Sequence, residues 1–160
     1  MLRVGLVGYG RIGRRIAARL ARQPSGTVLA AVLARRVPGE GPAAGDVVTD
    51  LDAFLGRGLD CVVECAGAAA LRSCGPVVLA SGADLVPLSL AALADPAFES
   101  ALLEAAERGP GRLEIPAGAV AGLDMIAAAR EDDLRAVTFR AVYPAARWRG
   151  TPAERLIDLD

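Results

Sequence analysis

The chain contains no histidine, no lysine and no asparagine, and all 18 of its basic residues are arginine. The first two absences weigh most, because His and Lys are the side chains most readily tuned to exchange protons near neutral pH. A reaction that depends on proton transfer has few groups to draw on here, and the catalytic residue is left unknown. Three cysteines (Cys61, Cys65 and Cys74) are an odd number without C-x-x-C spacing, which argues against both a disulfide framework and a zinc site. Apolar residues make up 53% of the chain. Every apolar run is nevertheless cut by Gly, Pro or Arg before the roughly 18–20 residues that a membrane span needs. The apolar start, Leu2 to Val7, passes straight into glycines with no export cleavage site. Charges of both signs are interspersed and the net charge is −1, so no basic block points to nucleic acid or to a membrane surface. A soluble, reduced, cytoplasmic protein acting on a small molecule is expected.

What is present alternates. Residues 2–7 are a short apolar run ended by Gly8-Tyr9-Gly10, after which Ile12, Ile16, Ala17 and Leu20 recur at helical spacing. Arg14, Arg15, Arg19 and Arg22 fall on the other side of that helix, and Pro24-Ser25-Gly26 stops it. A second strand is expected over 27–33, a loop rich in Gly and Pro over 35–45, and a short strand at Val47-Val48-Thr49. Asp50 or Asp52 would cap a small helix that contains Phe54 and Leu55. Further strands are expected over 59–65 and 84–88, with helices over 69–80 and 96–108, the last capped by Asp95 with Pro96 at its first position. Strands alternating with helices across short glycine-bearing connections are the pattern of βαβ units. The expected fold class is therefore α/β, a Rossmann-type doubly wound parallel sheet over residues 1–115. Residues 116–160 begin a second α+β unit, with a helix near 123–130 and a strand near 136–143.

The string Gly8-Tyr9-Gly10-Arg11-Ile12-Gly13 is G-x-G-x-x-G. Alone it is a weak signal, and its weight comes from following one strand, opening an amphipathic helix and preceding a second strand at βαβ distance. Gly8 permits the turn, Gly10 lets the backbone approach a pyrophosphate, and Gly13 lets the helix pack close to the strand. The free N–H groups of Arg11, Ile12 and Gly13 and the helix dipole would face the phosphates. The plain alternative is a glycine turn that serves packing only. At the end of the second strand, where NAD-preferring sites usually carry an acid, stand Arg35 and Arg36. Two guanidinium groups suit a 2′-phosphate, so NADP is expected to be accepted as well as NAD. Solvated loop arginines are the other reading, and the sequence leaves both open.

Cys65, Ala66 and Gly67 lie past the fourth strand and Ser89 past the fifth, where an α/β sheet places its ligand, so these residues are expected to border the nicotinamide. The thiols read as small core fillers, since no His is present to activate them. Glu64 and Asp124 are the carboxylates expected in the cleft region. They could act as acid–base groups only in surroundings that favour a protonated carboxyl.

Four segments behind the fingerprint carry a family resemblance: Glu64-Cys65-Ala66-Gly67, then Ser89-Leu90-Ala91-Ala92-Leu93-Ala94-Asp95, then the run from Ile115 to Asp124, and last Trp148-Arg149-Gly150-Thr151-Pro152-Ala153-Glu154. In this order they resemble the L-aspartate dehydrogenase family. The resemblance implies a two-domain, homodimeric enzyme that oxidatively deaminates L-aspartate to iminosuccinate and then oxaloacetate with NAD or NADP. It places Ala117, Gly118 and Ala119 on the substrate side and makes 116–160 part of a catalytic and dimerisation domain. Where family members commonly carry His, Ser and Lys, this chain has Ala68, Ala117 and Tyr143. Three readings follow: an oxidoreductase of this kind, truncated or divergent; a dinucleotide-binding module without chemistry; or a subunit whose residues 136–148 pair with a partner that supplies acid–base groups.

Overall fold

The computed structural model describes residues 1–22, 26–39, 41–42, 45–118, 122–145, 148–149 and 152–158. Five parallel strands form one sheet: β1 (Leu2–Val7), β2 (Thr27–Leu33), β3 (Asp46–Val48), β4 (Cys61–Glu64) and β5 (Asp84–Pro87). Their order is β3-β2-β1-β4-β5. The chain thus winds outward from β1 to β3, then crosses back to β4 on the other side of β1. The order reverses between β1 and β4, which is where a doubly wound sheet opens a crevice beyond its carboxyl ends.

Helices cover both faces of the sheet. On one face, α1 (Arg11–Arg22) buries Gly13 and Ala17, and its Ile16 and Leu20 pack on Val4, Leu6, Leu29 and Val32. On the other, α2 (Leu51–Leu55), α3 (Ala68–Ser81) and α4 (Pro96–Arg108) enclose a larger core around Phe54, Val62, Leu71, Leu79, Leu85 and Leu102. Adjacent residues of β4 serve opposite sides, Val62 in the larger core and Val63 against the smaller. This is why its four residues are apolar almost throughout.

The caps follow the sequence. Asp50 accepts a hydrogen bond from the Ala53 amide at 2.8 Å and so caps α2, while Asp95 accepts one from Ala97 at 3.2 Å ahead of Pro96 in α4. Of the residues expected to stop α1, Pro24 and Ser25 lie outside the described residues. A 3₁₀ turn, Leu90–Ala94, buries Ala92 between β5 and α4. Its five residues are all apolar and too few to show a helical period in the sequence.

The described residues divide into two units, Met1–Pro116 and Ala117–Asp160. The second holds α5 (Leu123–Arg130) and a 3₁₀ turn, Pro152–Arg155. One expectation fails there: residues 136–143 are not a strand, and all of them are exposed. An alternating apolar pattern becomes a strand only when a neighbour accepts its backbone hydrogen bonds. None of residues 136–142 pairs with a described strand. No described helix is long and apolar enough to cross a membrane.

Candidate functional site

The glycine turn between β1 and α1 explains itself differently at each glycine. Gly8 has φ +98°, and a Cβ there would lie 2.8 Å from the Ala66 Cβ, so conformation and space both demand glycine. At Gly13 a Cβ would strike the Gly8 carbonyl oxygen and come within 3.2 Å of the Cys65 sulfur. This is the close contact of helix with strand that the motif implies. Gly10 is unlike both, since a Cβ there would meet nothing within 4 Å. Its carbonyl accepts the hydrogen bond that opens α1, from the Arg14 amide at 3.0 Å. No neighbouring protein atom requires glycine at this position, whereas a ligand approaching the backbone does.

Gly10 borders two open cavities at the carboxyl ends of β1 and β2. The first, of about 740 Å³, is lined by Tyr9, Gly10 and the segment from Ala34 to Gly39, and by three arginines: Arg14, Arg35 and Arg36. The second, of about 700 Å³, is largely apolar, with Gly8, Leu33, Leu51, Cys65, Ala66 and Ala69 in its wall. Tyr9, Gly10, Ala34 and Arg35 belong to both, so the two cavities adjoin. Each has room for part of a dinucleotide, and pockets of this size are typical of cofactor sites.

Arg14 lies on the side of α1 opposite Ile16, Ala17 and Leu20, as expected, and one helical turn after Gly10 it borders the first cavity. Its guanidinium carbon lies 5.2 Å from the Tyr9 ring centroid, and its Nε donates to the Tyr9 carbonyl at 3.4 Å. Among the described residues, neither Arg14 nor Arg35 nor Arg36 has an ion-pair partner. The spacing Gly10-x-x-x-Arg14 was the signal that would have found it.

The far wall is built by the turn from β4 into α3. Cys65 donates from its thiol to the carbonyls of Val7 and Gly8, both at 3.3 Å. Burial, and then the nearby Glu64 carboxylate, push that thiol up to about 11. Burial followed by the same carboxylate does so for Cys74, also to about 11, and Cys61 is raised chiefly by burial. Thiols held in this way pack and do not attack. Gly67, at φ +122°, precedes the first turn of α3.

Glu64 is fully buried, and it does not project into the cleft as the sequence suggested. Its Oε1 accepts from the amides of Ala66 at 2.7 Å and Gly67 at 2.8 Å and from the Ser89 hydroxyl at 3.0 Å, while its Oε2 accepts from the Ser89 amide at 3.1 Å. Both oxygens are engaged by donors of the protein itself. The structure thus brings Gly8, Gly10, Arg35, Arg36, Cys65 and Ala66 around adjoining cavities, with Arg11, Ile12 and Gly13 opening the helix beside them. Gly67 and Ser89 are tied together through Glu64. Ala117 and Gly118 are exposed in the second unit, as is Asp124, and Ala119 lies outside the described residues.

A family model described as the NAD binding domain of homoserine dehydrogenase matches residues 8–116. An L-aspartate dehydrogenase 1 of Bordetella pertussis is 44% identical over 143 residues, covering 89% of this chain and 55% of the relative. The L-aspartate dehydrogenase of Serratia proteamaculans is 37% identical over 172 residues, covering 100% of this chain and 61% of the relative. The chain thus spans little more than half the length of these curated relatives. Among solved structures, the aspartate dehydrogenase of Thermotoga maritima superimposes with a TM-score of 0.62 at 22% identity, over 82% of this chain and 52% of that one. At that identity the likeness concerns the fold.

Proposed function

This chain belongs to the family of homoserine dehydrogenase NAD-binding domains, and from that premise we propose that it holds NAD or NADP for an oxidoreductase that deaminates L-aspartate. The observation that carries the cofactor half of this reading is Gly10, a glycine at the meeting of two cavities with no protein neighbour to require it. The amides of Arg11, Ile12 and Gly13 would hold the pyrophosphate, since helix N-termini leave such donors unpaired. Arg35 and Arg36, joined by Arg14, would receive the 2′-phosphate of NADP, and the apolar cavity suits an adenine ring. Gly67 and Ser89 would border the nicotinamide. When bound, the nicotinamide supplies a hydride acceptor for the substrate α-carbon.

The aspartate half rests on the curated relatives named L-aspartate dehydrogenase and on the four sequence segments shared with that family. In this reading residues 1–115 bind the cofactor, and residues 116–160, with Ala117, Gly118 and Ala119, face the substrate as part of a catalytic and dimerisation domain. The enzyme would be a cytoplasmic homodimer.

A second reading has a specific observation in its favour. Glu64, the acid at the carboxyl end of β4, is taken up by structural hydrogen bonds in a chain without His or Lys, which favours a dinucleotide-binding module whose chemistry needs other residues. Fluorescence titration with NADPH tests the cofactor reading, and saturable quenching or enhancement is expected. NAD(P)H formation from L-aspartate separates the two readings. Absence of NADPH and NADH binding would overturn both.

A further inference from the structure

Glu64 is the buried charged residue of the described core, and cofactor contacts alone leave it without a task. Burying a carboxylate is costly unless donors compensate it, and here four do. Those donors come from two places. Ala66 and Gly67 belong to the turn that follows β4, and Ser89 contributes both its amide and its hydroxyl from the turn that follows β5. One carboxylate therefore fixes two neighbouring turns at the carboxyl edge of the sheet. The first of them also sets Ala66 against the glycine turn, where a Cβ at Gly8 would come within 2.8–3.0 Å of its atoms.

In the strand order, the arginine-lined cavity lies at the β2 side of β1, while β4 and β5 lie at the opposite side. A dinucleotide with its adenosine over β2 must cross β1 to bring its nicotinamide over β4 and β5. We propose that Glu64 is a positioning residue for the nicotinamide half, locking the turn at Ala66 and Gly67 to Ser89 so that the rim over β4 and β5 is preformed. This rests on the dinucleotide reading above. Glu64 touches no ligand in this role and acts through the two turns it joins.

Glu64→Gln is a sharp test because all four partners are donors. In either orientation the new amide nitrogen opposes at least one N–H or O–H, so the lock loses a contact and gains a repulsion. The probes are NADPH and 2′-phospho-ADP-ribose, which is the same molecule without nicotinamide, titrated against the full chain at a temperature where circular dichroism shows each variant folded. The wild-type chain is expected to bind NADPH more tightly than 2′-phospho-ADP-ribose. Glu64→Gln is expected to reduce that margin about tenfold, equivalent to roughly 1.4 kcal/mol, with a smaller loss for 2′-phospho-ADP-ribose, because Ala66 also lines the apolar cavity and faces Gly8. Should Glu64→Gln fail to fold, Ser89→Ala removes one donor and keeps the carboxylate. It is expected to lose part of the margin, and Ser89→Thr, which keeps the hydroxyl, to recover it. A wild-type chain with no margin, a margin that survives both substitutions, or equal weakening of both ligands would overturn the proposal. Failure of the wild-type chain to bind either ligand would instead overturn the cofactor reading itself.

Discussion

Gly10 and Gly13 stand three residues apart in one turn, yet replacing them would do different kinds of damage. A side chain at Gly13 has to displace the Gly8 carbonyl, so the cost falls on folding. A side chain at Gly10 meets no protein atom, so the cost falls on whatever occupies the cavities. Gly10→Val is accordingly expected to abolish NADPH binding while lowering stability by no more than about 1 kcal/mol, the usual scale for a changed residue at the cap of a helix. Titration and urea unfolding of the same preparation check this, and unchanged affinity would remove the pyrophosphate from the turn. The arginines make a second case at this scale. Arg35→Ala combined with Arg36→Ala is expected to weaken NADPH by about 1–3 kcal/mol, the range for hydrogen bonds to charged groups, with little effect on NADH. Equal effects on the two cofactors would mean that these arginines are solvated loop residues.

At the scale of elements, β5 is held at its outer edge by the Asp84 carboxylate. It accepts from the Arg112 amide at 2.9 Å and from the Arg112 guanidinium at 2.8 Å, and so pins the segment whose Leu113 bridges to Leu85. The hydrogen bond from the Arg112 side chain, followed by that from its amide, holds the Asp84 carboxyl below its ordinary 3.8. A carboxyl depressed on folding adds stability above its unfolded value and loses it as pH falls through the folded one. Asp84→Asn is therefore expected to lower the unfolding midpoint at pH 7 and to narrow the difference from wild type as pH drops below about 3.8. Urea denaturation across pH 2.5–7 measures it, and a difference that does not change with pH would show that charge plays no part. The Asp84–Arg112 tie joins residues 28 apart, and for that reason the sequence did not announce it. Local signals did better. The apolar runs of β1 and β2, the cap at Asp95 and the glycine fingerprint were legible because each depends on neighbours within a turn or two. What pairs over distance was not. Residues 136–143 have the alternation of a strand but 136–142 pair with no described strand, Arg14 borders the cavity through the turn of α1, and two of Glu64's four donors, both on Ser89, come to it only because β5 lies beside β4.

For the molecule as a whole, binding a cofactor and turning over a substrate make separate demands. The first needs shape and donors, which the first unit has at the carboxyl ends of its strands. The second, for an amine substrate, needs a neutral amino group before hydride leaves and further proton transfers as water attacks the imine, and a positioned acid–base group commonly contributes 10²–10⁴-fold to such steps. The usual candidates are absent, because the 160 residues contain neither His nor Lys. Arginine is a poor base at any workable pH. The thiols of Cys65 and Cys74 are held at about 11 by burial and by Glu64, so they stay protonated through the alkaline range in which an amine loses its proton. Glu64 is fully buried, and its oxygens accept from Ala66, Gly67 and Ser89, so it is committed to the turns after β4 and β5. Orientation alone still accelerates reactions, so slow residual turnover is consistent with this arrangement. The 160-residue chain is therefore expected to bind NADPH and yet to form NAD(P)H from L-aspartate far below the enzyme median of about 10 per second. The assay is run with purified chain at pH 9–10 and saturating cofactor. Turnover near that median would mean that a group other than His, Lys, Glu64 or the thiols carries the proton, and would overturn the separation of binding from chemistry drawn from Glu64.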